Sequence, residues 1–311
     1  MIATRAAYGR ALLDLGARNP NVVVLDADLS KSTMTFEFAK RFPERFIQMG
    51  IAEQDLMGTA AGIATTGKIA FASTFAIFAT GRAFEQVRNG ICYPGLNVKI
   101  CATHAGLTVG EDGASHQSIE DIALMRAVPK MTVVVPSDAV QTAWAVNTAA
   151  ATDGPFYIRL GRAPSPAIYQ PDHEFHLGKA ERLRDGRDVT LIACGYMTPR
   201  ALAAADLLAG RGISARVIDM ATIKPLDEAA VAEAAAETGA IVTVEEHSII
   251  GGLGGAVCEC VCNSVPVPVV RVGVRDMFGK SGKPEALLSH FGLTAEDIAS
   301  AAQAAVTRSH R

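Results

Sequence analysis

Hydrophobic positions in the first half of the chain fall into short unbroken runs. Asn21 to Leu25 carries Val-Val-Val-Leu with no polar interruption, which suits a strand in a parallel sheet covered on both faces. Similar runs recur at 46–49, 68–73, 97–102, 131–135 and 156–160. Between them lie stretches that predict helices at 4–16, 53–65, 76–90, 117–127 and 138–151. Strands alternating with helices of about ten to fifteen residues predict stacked βαβ units and a parallel sheet. Residues 162–188 break this rhythm, with Pro164, Pro166 and Pro171 followed by mixed charge, the composition of an interdomain linker. A second set follows, with strands at 189–194, 215–218, 241–245 and 268–274 and helices at 198–210, 227–238, 253–263, 284–290 and 295–306. The expected class is α/β with two domains, each a largely parallel sheet flanked by helices. They occupy residues 1–163 and 188–311, with 164–187 as the linker.

Three places in the first domain carry candidate chemistry. Glu53 opens a helix that is otherwise mostly small and apolar, Leu56-Met57-Gly58-Thr59-Ala60-Ala61-Gly62-Ile63-Ala64. A carboxyl so placed is set for burial, and burial favours a neutral acid, although acids in a first helical turn also serve the helix dipole. Phe75 and Phe78 leave a strand end and enter a helix three residues apart, which puts both rings on one helical face. Thr103 to Gln117 is a long polar loop in which His104 and His116 flank Gly110-Glu111-Asp112-Gly113. Open α/β sheets bind ligands at the carboxyl ends of their strands, where all three places fall.

Composition narrows the classes. The 311 residues suit about two domains, 49% are hydrophobic, and only 6% are aromatic, so small aliphatic side chains must do most of the packing. A net charge of −3 and a pI near 6.2 give no electrostatic footprint for nucleic acid or an anionic membrane. No run of about 18 apolar residues predicts a spanning helix, and Met1 to Leu13, with Arg5 and Arg10, reads as a first structural helix rather than a leader. Cys258, Cys260 and Cys262 lie two apart in a helical segment and so point to different sides. That spacing suits neither zinc nor a disulfide framework, and the six cysteines are expected as buried free thiols in a cytoplasmic protein. Gly251-Gly252-Leu253-Gly254-Gly255 lacks the spacing of a dinucleotide fingerprint and reads as a turn with a helix start. Gly279-Lys280-Ser281 imitates the end of a P-loop, but Val274 stands where its first glycine would be, so no nucleotide site is expected there.

Taken jointly, Gly50-Ile51-Ala52-Glu53-Gln54, the Thr74-Phe75 to Phe78 segment and Gly110-Glu111-Asp112-Gly113 with His116-Gln117 resemble the thiamine-diphosphate transketolases in order and spacing. Glu245-Glu246-His247-Ser248-Ile249-Ile250-Gly251-Gly252-Leu253-Gly254 resembles the C-terminal domain that this family shares with 2-oxo-acid dehydrogenase beta subunits. The resemblance covers nearly the whole chain. It implies that Glu53 hydrogen-bonds the ring nitrogen of the cofactor's aminopyrimidine, that Phe75 and Phe78 stack on that ring, and that Asp28 approaches the cofactor across a subunit interface. It implies that His104, Asp112 and His116 bind sugar hydroxyls, with the two histidines assisting proton transfer. Arg5, Ser32 and Arg162 would grip a substrate phosphate, with Arg159 as an alternative to Arg162. At Gly81 the family often carries a third aromatic residue.

The family's Gly-Asp-Gly element with a downstream Asn pair, which holds Mg²⁺ and the cofactor's diphosphate, does not occur here, and no metal ligand is expected in this chain. The resemblance therefore implies the C-terminal subunit of a split transketolase, completed by an N-terminal-half partner, with an α2β2 assembly and sugar phosphates as substrates. The competing expectations are a 2-oxo-acid dehydrogenase-type beta subunit and a non-catalytic assembly subunit.

Overall fold

The computed structural model describes residues 1–309. The first domain runs β1 (Ile2–Ala3), α1 (Thr4–Arg18), β2 (Val22–Asp26), α2 (Ser30–Thr33), α3 (Phe36–Arg41), β3 (Phe46–Gln48), α4 (Glu53–Ala64) and β4 (Ile69–Phe75). It continues with β5 (Val98–Thr103), α5 (Asp121–Ala127), β6 (Thr132–Val134), α6 (Ala139–Ala151), β7 (Phe156–Arg159) and β8 (Pro164–Ser165). The second domain holds β9 (Glu181–Arg184), β10 (Val189–Ala193), α7 (Thr198–Ala209), β11 (Ala215–Asp219), β12 (Thr222–Lys224) and α8 (Glu228–Thr238). Then come β13 (Ile241–Ser248), α9 (Leu253–Asn263), β14 (Val269–Val274), α10 (Pro284–His290) and α11 (Ala295–Ser309).

The expected α/β architecture is present. A seven-stranded sheet has the order β12-β6-β7-β5-β4-β2-β3, and a five-stranded one the order β14-β13-β10-β11-β9. The unbroken apolar run of β2 is explained by its place between β3 and β4, parallel to both. Side chains alternate along a strand, so Val22 and Val24 enter one core with Tyr8, Leu12 and Val146 of the helices on that face. Leu25 enters the other, with Leu56, Met57 and Ala60 of α4. Both faces are dry, which is the arrangement parallel sheets require.

Several features depart from the sequence expectations. Within the segment 164–187 expected as linker, β8 pairs with β1 and β9 pairs antiparallel with β11 as an edge of the second sheet. The second domain also returns β12 to the first sheet, antiparallel to β6. These pieces are two to four residues long and carry too little pattern to show a period. The expected helix at 76–90 is built largely of π-helical turns, Phe78–Arg82 and Gln86–Cys92, in which the Ala83 N–H donates to Phe78 O and the Tyr93 N–H to Arg88 O, five residues back. Such turns are frequent at functional sites. Cys92, Cys101, Cys194 and Cys260 are buried as expected, but Cys258 is half-buried and Cys262 exposed, because spacing of two turns each successive thiol through about 200° of the helix.

The glycine-rich turn at 251–255 caps α9. Glu245 accepts the Leu253 and Gly254 N–H groups at 2.7 Å each, so the helix start is held by the protein's own carboxylate. Among the described residues no helix is long and apolar enough to cross a membrane.

Candidate active site

The loops that follow β2, β3, β4, β5 and β7 emerge at the same edge of the seven-stranded sheet, the carboxyl end of its parallel strands. Asp26, at the end of β2, shapes the first of them. Its buried carboxylate accepts the Leu29 N–H at 2.6 Å and the hydroxyls of Thr33 at 2.6 Å and Thr35 at 3.0 Å. Burial pushes its carboxyl up and these bonds pull it down, with burial the larger. The loop they hold presents Asp28, exposed with φ +62°, and α2 with Ser32. A positive φ costs little at an Asp.

Glu53 is the first residue of α4 and only 2% exposed. Its Oε2 lies 3.0 Å from Nη1 of Arg82, a residue that carries no mark of function in the sequence. The Arg82 guanidinium also lies 4.5 Å from the ring centroid of Phe78. Phe78 in turn is stacked on Phe75, centroids 5.8 Å apart and planes 13° from parallel. Phe75 packs on the His104 ring at 3.9 Å. The two phenylalanines therefore differ: Phe75 is buried as a backing ring, while half-buried Phe78 meets Arg82 beside Glu53. A side chain begun at Gly81 would meet only Ile77 Cδ1, at 3.9 Å, so there is room where the resembling family often places a third ring.

His104 closes the stack from the β5 loop. It is 3% exposed with φ +57°, and its Nδ1 shares a 2.9 Å hydrogen bond with Thr103 Oγ1. Burial, reinforced by the positive charges of Arg5, Arg162 and His116, pulls its imidazole down to about 3. The ring is thus neutral at physiological pH, able to donate at one nitrogen and accept at the other. His116 stands edge-on to Phe75 and Phe78, with centroids at 6.3 and 5.4 Å.

Arg5 and Arg162 come together although 157 positions separate them in the sequence. β1 pairs with β8, the Arg5 N–H donates to Gly161 O at 3.3 Å, and the Gly161 N–H donates to Thr4 Oγ1 at 2.7 Å. Arg5 Nη1 donates to Ser32 O at 2.8 Å, and Arg162 Nη1 donates to Val109 O at 2.5 Å and lies 3.5 Å from Asp112 Oδ2. Burial, then the charge of Arg162, lowers the Arg5 guanidinium. Two cations held together in a partly dry site favour an anion between them.

Arg159, the alternative to Arg162, stands elsewhere, paired with Asp121. Arg159 is buried, with Nε donating to Asp121 Oδ2 at 2.7 Å and Nη2 to Glu246 O at 2.9 Å and Ser118 O at 3.2 Å. Nε and Nη2 are held by Asp121 and Ser118 within the first domain, and Nη2 also reaches Glu246 O in the second. The loop bearing His104 and His116 is held by the second domain in the same way. Glu246 accepts the Thr108 N–H at 2.5 Å and its hydroxyl at 3.2 Å, while Gln117 Nε2 donates to Lys280 O at 3.0 Å. These clamps were not legible in sequence, since a Glu-Glu pair at a strand end shows nothing of its partner. Among the described residues no group of three or more His, Cys, Asp or Glu is placed to hold a metal.

The neutral state of His104 gives a pH prediction. In the unfolded chain the imidazole titrates near 6.5, and in the fold at about 3. Between those values the unfolded state binds a proton that the folded state does not, so stability rises with pH through this window and is lost as pH falls from 6.5 toward 3. One such group supplies a slope of up to about 1.4 kcal/mol per pH unit. His104→Gln is expected to lose less stability than the parent on acidification from pH 6.5 to about 4.5 in urea titrations. Equal losses would contradict the placement of His104.

Comparison with known proteins identifies both domains. Residues 1–166 match the transketolase pyrimidine-binding domain and residues 178–298 the transketolase C-terminal domain. A solved structure described as a split-gene transketolase, inactive beta4 tetramer, superposes with a TM-score of 0.93 at 60% identity, covering 99% of each chain. The 6-deoxy-6-sulfo-D-fructose transketolase subunit SqwH of Clostridium sp. (strain MSTE9) is 45% identical, covering 98% of this chain and 94% of its own. One subunit of the apulose-4-phosphate transketolase of Phocaeicola vulgatus is 42% identical, covering 96% of each chain. With both domains matched and relatives of similar length aligned nearly end to end, the chain belongs to the transketolase family.

Proposed function

We propose that this chain is the C-terminal subunit of a split transketolase, which moves a two-carbon ketol unit from a ketose phosphate to an aldose phosphate with thiamine diphosphate as cofactor. The observation that carries the reading is the buried carboxyl of Glu53 set beside the Phe75–Phe78 stack, at the sheet edge where His104, His116, Arg5 and Arg162 also converge. Relatives described as transketolase subunits, and a 60% identical tetramer described as inactive, support a chain that acts only with a second subunit.

The residues fit an aminopyrimidine. A flat N–H donor, the Arg82 guanidinium, already lies on Phe78 and hydrogen-bonds Glu53. Bound thiamine diphosphate would supply the electron sink for breaking a carbon–carbon bond. The protein's own groups do the rest. Glu53 would hydrogen-bond the ring nitrogen, and Phe78, backed by Phe75, would lie against the ring. His104, neutral and hydrogen-bonded to Thr103, and His116 orient sugar hydroxyls and pass protons, with Asp112 as a further hydroxyl ligand. Arg5, Ser32 and Arg162 receive the terminal phosphate, for which guanidinium forks are well shaped. Asp28, exposed on its loop, would approach the cofactor across a subunit interface. The N-terminal-half partner holds the diphosphate and Mg²⁺, and the working assembly is α2β2 in the cytoplasm.

The assay is ketol transfer against 2-oxo-acid decarboxylation, run on the co-purified two-subunit complex. A ketose phosphate and an aldose phosphate are expected to exchange a two-carbon unit. Reductive acylation of a lipoyl domain by a 2-oxo acid, with no ketol transfer, would replace this reading with the dehydrogenase one.

A further inference from the structure

We infer that Arg82 is an internal stand-in for the cofactor ring and must leave the site before that ring can bind; this rests on the proposed thiamine-diphosphate reading. Its guanidinium is planar, delocalised and N–H-donating. It makes two contacts at once: Nη1 to Glu53 Oε2 at 3.0 Å, and Cζ at 4.5 Å from the centroid of Phe78. An aminopyrimidine seated on Glu53 and Phe78 makes the same two. The ring and the arginine would therefore compete for Glu53 Oε2 and for the Phe78 ring.

The surroundings allow Arg82 to leave. Its side chain is 52% exposed while that of Glu53 is 3% exposed, so one partner of the ion pair is already half in water and the other is fixed. Its backbone carbonyl stays anchored by Gln54 Nε2 at 3.2 Å, and Arg82 ends the π-helical turn Phe78–Arg82. Rotation of the side chain into solvent therefore needs no change in the fold. Until it rotates, the buried acid is masked in the lone subunit, and the open space beside Gly81 lies next to the residue that does the masking.

Removing the stand-in removes the displacement cost. With about half of its side chain in water, Arg82 is the weakly held partner, so Arg82→Ala in the two-subunit complex is expected to bind thiamine diphosphate, with Mg²⁺ present, about threefold to fivefold more tightly in calorimetric titration. Arg82→Lys keeps the charge but loses the flat fork, and is expected to fall between the two. Unchanged or weaker binding by Arg82→Ala, when the parent complex binds, overturns the stand-in and leaves the cofactor reading intact. A parent complex that binds no thiamine diphosphate overturns both. In the parent protein, the side-chain N–H resonances of Arg82 are expected to move to solvent-like exchange as cofactor is added. Resonances that stay protected in the loaded complex contradict the inference without any variant.

Discussion

Glu53→Gln is expected to lower ketol transfer by the two-subunit complex at least about 100-fold, in the range that loss of a positioned acid or base produces. Glutamine keeps the volume of the side chain and its capacity to hydrogen-bond, and removes the carboxyl's ability to ionise and to exchange a proton. The fold should survive, because the side-chain partner of Glu53 is the half-exposed Arg82. Loss of such a pair costs about 1 kcal/mol or less. Thermal melting within a few degrees of the parent and a collapse of turnover are the paired results. Activity within a few-fold of the parent would favour a subunit that keeps this fold only for assembly.

The second large effect concerns the chain by itself. Purified without a partner, it is expected to turn over sugar phosphates more than about a thousandfold more slowly than the two-subunit complex, since positioning and electrostatic stabilisation would both be missing. The described residues build one wall of a site. Ile51, two residues before the buried acid, is 79% exposed, and Asp28 on the neighbouring loop also faces outward. Charges on the open part of that wall are screened by water. Mixing with the N-terminal half should restore activity in proportion to complex formed. A lone chain working at the rate of the complex would end the split-subunit reading.

Much of this was legible in the residues. Val22 to Leu25 shows no polar alternation because both of its faces are covered, and Glu53 is buried because the helix it opens presents Leu56, Met57 and Ala60 to the core. Phe75 and Phe78 do pair, but not on one helical face: Phe75 is the last residue of β4 and Phe78 opens the π-helical turn. What escaped has a physical reason in each case. Apolar spacing separates four-residue from five-residue hydrogen bonding poorly, so the π-helical turns around Arg82 look like an ordinary helix in sequence. An arginine after a glycine looks like any surface cation, and its partner lies 29 residues upstream. Arg159 and Arg162 are three residues apart, yet one closes a buried ion pair with Asp121 and the other faces Arg5. Nothing local separates them; the separation comes from β13 packing Glu246 and His247 against the first domain.

The most direct test is a structure of the two-subunit complex with thiamine diphosphate bound. The Glu53 carboxyl should lie within about 2.6–3.2 Å of the aminopyrimidine ring nitrogen, with the heterocycle on Phe78 and Arg82 turned out to solvent. A heterocycle held elsewhere, with Glu53 still bonded to Arg82, would contradict the account.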